Sequence, residues 1–160
     1  MQEGIDVGPV IDENAAIRIS RWMEEASQAG AKIMTGGERD RAVVSPTVIT
    51  NTTAEMTIEH EEVFGPVLTV NPFDSFSDAV QRANNSRYGL QGGMFTYDLR
   101  RAFRAIEDWD VGGLMINDVS IYRVDNMPFG GWKQSGLGRE GTAYAMAEMT
   151  DIKHLVINYA

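Results

Sequence analysis

Short apolar runs alternate with amphipathic segments between residues 67 and 116, and this alternation is the feature that most constrains the fold. Strands are predicted at three apolar runs: Val67 to Phe73, Gly92 to Thr96 and Gly113 to Ile116. Between them the sequence predicts two helices of about ten residues, one capped by Asp74 or Ser75 and the other by Asp98. Strands that alternate with helices in this way pair in parallel, so the pattern predicts an α/β fold with a parallel sheet covered on both faces.

A long loop follows the last of these strands. Asn117 and Asp118 stand where the strand should end, and Val119 to Leu137 is a predicted loop of about 19 residues. Compact domains rarely keep so long a loop without a function. Because ligands of α/β sheets meet the carboxyl ends of the strands, the sequence predicts a binding role here.

The segment before the alternation predicts one helix and two more strands. Asp12 suits the N-cap of a helix that runs to about Ala29, and Gly30 suits its left-handed end. The apolar residues on one face of this helix are Ala15, Ile19, Trp22, Met23, Ala26 and Ala29. Short strands are predicted at Ala31 to Thr35 and at Ala42 to Thr50, around a Gly-Gly turn.

The end of the chain predicts an exposed strand. From Asp151 to Tyr159 the residues alternate, with Leu155, Ile157 and Tyr159 on one side. The unpaired backbone of such a strand is a template for another chain, and Lys153 is the only charged side chain in its interior that discourages pairing. The predicted organisation is a domain at residues 1–150 and an oligomerisation strand at residues 151–160.

Composition excludes several classes of protein. A chain of 160 residues that is 43% hydrophobic can bury one sizeable core. A net charge of -9 argues against a nucleic-acid partner, which requires clustered Lys and Arg. The sequence shows neither the roughly 20 apolar residues of a membrane helix nor a signal peptide after Met1. Without Cys there is no disulfide, zinc–thiolate site or Cys nucleophile, and the cytoplasm is the expected compartment.

A rigid turn is predicted at Glu61 to Pro66, where two carboxylates precede an aromatic residue and a Gly-Pro pair. Pro66 fixes its own φ and disfavours helix at Gly65, so the turn should lead directly into the next strand. A carboxylate can accept hydrogen bonds from two adjacent sugar hydroxyls while a nearby ring lies against a flat heterocycle, an arrangement that suits a ribose-linked cofactor. The alternative interpretation is that the acids are solvated and Phe64 belongs to the core.

Two other patterns are typical of a dinucleotide site and a metal site, but the residues around them do not match either kind of site. Residues 136–141 match the G-x-G-x-x-G pattern of dinucleotide-binding proteins, yet the preceding residues, Pro128 to Gly131, are not a strand. The glycines are therefore assigned to a close-packed loop. His60 lies among three Glu residues, but the other His is far away at His154 and no His-Glu-x-x-His spacing is present, so no metal site is predicted.

Three motifs together resemble the aldehyde dehydrogenase superfamily. They are Glu-Glu-Val-Phe-Gly-Pro at Glu61 to Pro66, Asn-Asn-Ser-x-Tyr-Gly-Leu at Asn84 to Leu90, and Pro-Phe-Gly-Gly-x-Lys-x-Ser-Gly-x-Gly-Arg-Glu at Pro128 to Glu140. They occur in the family's order with similar spacing, and the resemblance covers essentially the whole chain. It implies the C-terminal part of the catalytic domain of an NAD(P)-dependent aldehyde dehydrogenase, followed by the strand that in this family adds to a sheet shared between subunits.

On the cofactor side, the resemblance implies NAD or NADP in the intact enzyme. Glu62 matches the acid that holds the nicotinamide ribose, and Phe64 matches the aromatic residue near the nicotinamide. The Cys nucleophile, the Asn of the oxyanion site, the Glu base and the dinucleotide-binding half all precede this stretch in the family's order. No catalytic residue is therefore assigned, and the isolated chain is expected to be inactive with weak or no cofactor binding.

On the substrate side, the resemblance implies a set of tunnel and loop residues. Phe129 matches an aromatic residue that lines the substrate tunnel, and Asn117 matches a strand-end Asn that positions the loop. Residues Val119 to Met127 correspond to the substrate-selecting loop, in which Tyr122 and Arg123 are predicted to be presented. The aldehyde itself is not specified.

Arg123 carries a further hypothesis about the substrate. Its planar guanidinium can offer two parallel donors to a carboxylate or phosphate on the aldehyde. The alternative is that Arg123 forms an ion pair with Asp125, two residues away.

Two functions of different classes are thus compatible with the sequence. The first is the C-terminal part of an aldehyde dehydrogenase that oxidises an aldehyde to a carboxylic acid and forms a homo-oligomer through Ile152 to Tyr159. The second is a noncatalytic interaction module that pairs with another subunit through the same edge strand.

Overall fold

The structure is a computed structural model that describes residues 7–159. The chain divides into two compact units, Met1–Asp74 and Ser75–Ala160. In the described range no helix is both long enough and apolar enough to cross a membrane.

The first unit is a helix packed on a small mixed sheet. Its elements are helix α1 (Glu13–Gln28), strands β1 (Lys32–Thr35), β2 (Arg39–Asp40), β3 (Val43–Val44) and β4 (Thr47–Thr50), helix α2 (Thr57–His60) and strand β5 (Val67–Thr69). Strand β4 lies in the middle of a three-stranded sheet, antiparallel to β1 and parallel to β5. Strands β2 and β3 form a separate antiparallel pair.

Helix α1 begins and ends where the sequence predicts. The Asp12 carboxylate accepts a hydrogen bond from the Ala15 amide at 2.7 Å, and Gly30 has a φ of 106°. The buried face is shifted from the predicted one, since Ala16 is buried whereas Ala29 is exposed. The largest fully buried side chains of the unit are Ile19, Met23, Val44 and Ile49.

The second unit contains the helix–strand alternation. Its elements are helix α3 (Phe76–Asn84), strands β6 (Tyr88–Gly89) and β7 (Gln91–Met94), helix α4 (Leu99–Asp108), strands β8 (Gly113–Ile116) and β9 (Trp132–Lys133), and helix α5 (Thr142–Glu148). Ser75 and Asp98 cap α3 and α4 with their side chains, as predicted. Strands β7 and β8 pair in parallel, and β6 pairs with β9 antiparallel.

The predicted α/β fold with parallel strand pairing is confirmed. Parallel pairs occur at β4–β5 and β7–β8, in separate sheets. The strand predicted from Val67 to Phe73 ends at Thr69, because β4 offers only four residues to pair with. The apolar face of α4 is also uncovered: Leu99, Phe103 and Ile106 are exposed in the second unit.

The strand predicted at residues 151–159 is not formed in the single chain. All nine residues are exposed, as predicted, but they have no regular secondary structure. A strand needs a partner to accept and donate ladder hydrogen bonds, and none reaches this segment within residues 7–159.

Replacing a core residue of α1 tests the packing of the first unit. Ile19→Ala removes a fully buried side chain and should lower the free energy of unfolding by about 2–5 kcal/mol. Ile17→Ala, on the same helix but 47% exposed, is the matched control and should cost less than about 1 kcal/mol. Urea unfolding followed by circular dichroism measures both; equal losses would contradict the described orientation of α1.

Candidate functional site

The Glu61 to Pro66 turn is anchored to the core of the first unit through its backbone. Arg18 donates from Nη2 to the Val63 carbonyl oxygen at 2.9 Å, and the Thr47 amide donates to the Pro66 carbonyl oxygen at 2.8 Å. A Cβ atom on Gly65 would lie 2.5 Å from Cδ1 of Ile19. A side chain at position 65 would have to displace this terminal methyl group, because the turn lies directly on the buried face of α1.

Two side chains of the turn, Glu62 and Phe64, point outward, whereas Val63 packs against the core. Glu62 is exposed, and Phe64 is 73% exposed. The interpretation of Phe64 as a core residue is therefore wrong. The turn presents a carboxylate and a ring two residues apart, which is the arrangement predicted for holding a ribose-linked cofactor.

Phe64 also has an uncommon backbone conformation. Its φ is 51°, in the left-handed region that costs an L-residue roughly 1–2 kcal/mol. Residues strained in this way occur in tight turns and cluster at ligand-binding sites in proteins generally. The ring is held away from the core by the backbone itself.

In the second unit, the two predicted substrate-binding residues Arg123 and Phe129 form a cluster with Glu140, the last residue of the third motif. The Arg123 guanidinium carbon lies 4.1 Å from the centroid of the Phe129 ring. Its Nη2 atom donates to Oε2 of Glu140 at 2.9 Å. The backbones of Phe129 and Glu140 are paired by two hydrogen bonds, of 3.0 and 2.6 Å. We call Arg123, Phe129 and Glu140 the arginine cluster.

The arginine cluster corrects one expectation. The alternative partner predicted for Arg123 was Asp125, but the structure places Glu140 there instead. The remaining guanidinium N–H groups of Arg123 have no hydrogen-bond partner in residues 7–159. Glu140 belongs to the third motif, but no role was predicted for it from the sequence. The backbone bridge between Phe129 and Glu140 is what brings its carboxylate close to Arg123.

The other loop residues are placed by backbone contacts. Asn117 directly follows β8 with a φ of 59°, and its Oδ1 accepts a hydrogen bond from the Thr96 amide at 2.8 Å. This contact is in keeping with the predicted positioning role of Asn117. Tyr122 is half exposed, and its carbonyl oxygen accepts a hydrogen bond from Gln91 Nε2 at 3.3 Å.

The structure thus brings Arg123 into contact with Phe129 and leaves Glu62 and Phe64 exposed on one turn. The first pair belongs to the second unit and the second pair to the first unit. In residues 7–159 no group of three or more His, Cys, Asp or Glu side chains is arranged to hold a metal ion.

Comparison with known proteins identifies similar chains. A family model described as the aldehyde dehydrogenase family matches residues 1–155. The chain is 46% identical over 158 residues to 3-sulfolactaldehyde dehydrogenase of Priestia aryabhattai, which covers 99% of the chain and 33% of that relative.

Solved structures give the same result. Aldehyde dehydrogenase 21 from Physcomitrella patens, in complex with the reaction product succinate, is 46% identical with a TM-score of 0.89, over 93% of this chain and 31% of that one. Glyceraldehyde-3-phosphate dehydrogenase of Methanocaldococcus jannaschii, complexed with NADP, is 39% identical with a TM-score of 0.89, over 96% of this chain and 33% of that one. The chain therefore spans about a third of the length of the proteins it matches.

Substitutions at Phe64 test whether the turn is strained. Phe64→Gly should be at least as stable as the parent chain, because glycine adopts a positive φ freely and the exposed ring contributes little burial. Phe64→Val, a β-branched residue at the same φ, should be less stable by about 1 kcal/mol or more. Urea unfolding distinguishes the two; a loss of more than about 1 kcal/mol in Phe64→Gly would show that the ring supports the fold.

Proposed function

The chain belongs to the aldehyde dehydrogenase family, and we propose that it is the C-terminal part of an NAD(P)-dependent aldehyde dehydrogenase that contacts the nicotinamide ribose and lines the substrate tunnel. Members of this family are oxidoreductases that act on aldehydes. Two facts support the assignment to the C-terminal part: the chain spans about a third of its relatives, and its three motifs follow the family's order.

The observation that carries the cofactor role is the outward presentation of Glu62 and Phe64 on an anchored turn. The Glu62 carboxylate can accept hydrogen bonds from both ribose hydroxyls, since an ionised carboxylate has several acceptor sites. The Phe64 ring is exposed and free to lie against the nicotinamide. NAD(P) supplies the acceptor for the hydride that leaves the aldehyde carbon.

The remaining chemistry must come from the rest of the proposed enzyme. Aldehyde oxidation needs a nucleophile at the carbonyl carbon and a base that activates water. The chain has no Cys, and the Nδ1 atom of His60 lies 3.2 Å from the Ala54 carbonyl oxygen rather than beside a Ser hydroxyl. What this chain contributes is binding and orientation.

The isolated chain should therefore bind NAD(P) weakly and should not oxidise aldehydes. Glu62 and Phe64 contact one end of the dinucleotide only, against an association cost of roughly 4–15 kcal/mol. Calorimetric titration of NAD and of NADP should give dissociation constants weaker than about 1 mM. An assay of hydride transfer with a panel of aldehydes should stay at background, and micromolar binding or turnover would contradict the assignment.

The arginine cluster favours an aldehyde with an anionic group. The similar proteins named above act on, or hold, molecules that carry a sulfonate, a carboxylate or a phosphate. Arg123 is stacked on Phe129, the proposed tunnel residue, and one of its five N–H donors is used by Glu140. The other donors are available to an anion, and stacking keeps the guanidinium plane in one orientation.

Replacing Arg123 in the complete enzyme tests this preference. Arg123→Ala should raise KM for an anionic aldehyde by about tenfold or more and leave KM for a neutral aldehyde of similar size unchanged. Arg100→Ala, which removes a guanidinium from the start of helix α4, is the matched control and should leave both constants unchanged. Equal losses for both aldehydes would show that Arg123 holds the loop and does not bind the substrate.

The exposed tail supports the second candidate, an interaction module. Residues 151–159 carry exposed Leu155, Ile157 and Tyr159 on one side and receive no ladder hydrogen bonds within the described chain. This backbone is open to pairing with a strand of another subunit. A homo-oligomeric aldehyde dehydrogenase would use the same segment, so pairing through the tail fits either candidate, and catalysis by the complete protein separates them.

Association through the tail is testable on the purified chain. Light scattering should show a dimer or larger assembly whose fraction rises with concentration. Ile157→Pro, which removes a backbone donor, should reduce association, whereas the control Asp151→Ala should not. A chain that stays monomeric at high concentration, with a protease-sensitive tail, would contradict the proposal.

A further inference from the structure

Asn84, the last residue of helix α3, joins three segments of the second unit. It opens the Asn84 to Leu90 motif, to which the proposed function gives no role. Its side chain and carbonyl contact strand β9 on one side and the connection between α4 and β8 on the other. The residue next to it, Asn85, is exposed, and its side chain makes no hydrogen bond within residues 7–159.

The contact with β9 runs through Lys133. The Nζ atom of Lys133 donates to the Asn84 carbonyl oxygen at 2.8 Å and to Oδ1 of Asn84 at 2.7 Å. Lys133 has a φ of 53°, a backbone conformation that L-residues disfavour, and the two hydrogen bonds of its side chain help to stabilise it. The ammonium group also satisfies a carbonyl at the end of helix α3, where a cation is favoured.

Two neighbouring hydrogen bonds extend this contact along β9. The Gln134 amide donates to the Arg87 carbonyl oxygen at 2.9 Å, and the Gly89 amide donates to the Ser135 hydroxyl at 2.9 Å. Both lie beside the pairing of β6 with β9, where Tyr88 is opposite Lys133. The Asn84 motif and the Pro128 to Glu140 motif are thus connected at several points.

The contact with the α4–β8 connection uses both the donor and the acceptor atoms of the Asn84 carboxamide. The Nδ2 atom of Asn84 donates to the Asp108 carbonyl oxygen at 3.2 Å and to Oδ2 of Asp110 at 3.3 Å. The Asp110 amide donates back to Oδ1 of Asn84 at 3.2 Å. Only a carboxamide offers both donors and an acceptor here, since an Asp would lose the donors and face the Asp110 carboxylate.

The same connection touches the loop that carries Phe129. A Cβ on Gly112 would overlap the carbonyl oxygen of Gly130, so the two backbones are in direct contact. Asn84 is therefore connected to Gly130 by two routes. One runs through Lys133, three residues after Gly130, and the other through Asp110, two residues before Gly112. Phe129 directly precedes Gly130.

We propose that Asn84 is a positioning residue for aldehyde binding, which holds the Gly130–Lys133 segment and so places Phe129 in the substrate tunnel. This inference rests on the proposed function for its catalytic meaning. Its structural part, the ordering of the segment by Asn84, is testable on the 160-residue chain itself.

Amide hydrogen exchange on the purified chain is the first test. In Asn84→Ala, the amides of Gly89 and Gln134 should exchange about tenfold faster than in the parent chain. The amides of strands β7 and β8 should stay within about twofold, and so should every amide in the control Asn85→Ala. Unchanged exchange at Gly89 and Gln134, or an equal acceleration throughout the second unit, would overturn the proposal.

A milder variant keeps the test valid should Asn84→Ala fail to fold. Lys133→Met removes the ammonium and leaves the contacts of Asn84 with Asp108 and Asp110 intact. It should accelerate exchange at Gln134 about threefold, and Lys133→Arg should restore most of the protection. No acceleration in Lys133→Met would equally overturn the proposal.

Kinetics of the complete enzyme is the second test. Asn84→Ala should raise KM for the aldehyde about fivefold and leave KM for NAD(P) unchanged, and Asn85→Ala should change neither. A general loss of folded enzyme would lower the overall activity and leave both KM values unchanged, and this result would overturn the positioning role. If the complete parent polypeptide oxidises no aldehyde, the proposed function fails and the catalytic meaning of Asn84 fails with it, while the exchange experiment still decides whether Asn84 orders the segment.

Discussion

The close contact between Gly65 and Ile19 is the constraint on which the first unit depends. Ile19 is fully buried on helix α1, and its Cδ1 atom occupies the space that a side chain at position 65 would need. The Glu61 to Pro66 turn therefore shares its support with the core. Since the adjacent Arg18 also holds the Val63 carbonyl, the position of the proposed cofactor residues is set by the packing of one helix.

In the second unit the motif residues act mainly as scaffold. Glycines at positions 112 and 130 let two backbones touch, Asn84 and Lys133 connect α3 to β9, and Phe129 is paired with Glu140. The side chain that distinguishes substrates in this account, Arg123, lies outside these motifs and is held by two of their residues. A cation carried on such a scaffold could set the preferred aldehyde without a change of fold.

Local sequence patterns predicted most of the helices and strands, whereas contacts between residues distant in sequence could not be predicted. Helix α1 and strand β8 follow from a cap, a periodicity and an apolar run, all of which are local. The partner of Arg123 did not follow, because Glu140 comes close only through a bridge between residues 129 and 140. The strand predicted at residues 151–159 is absent from the single chain, because alternation predicts exposed backbone without supplying a partner for it. The uncovered face of α4 likewise shows that periodicity predicts an apolar face without showing what covers it.

The central claim is that this chain works as the C-terminal third of a longer enzyme. The most direct test is the intact mass of the native protein, captured from its source with an antibody against residues 128–140 and identified by peptide mapping. We expect a polypeptide roughly three times the length of this chain, as its share of the matched relatives implies, and a preceding segment that contains the Cys nucleophile implied by the family resemblance. A native protein of 160 residues with no covalent or separately encoded remainder would contradict it.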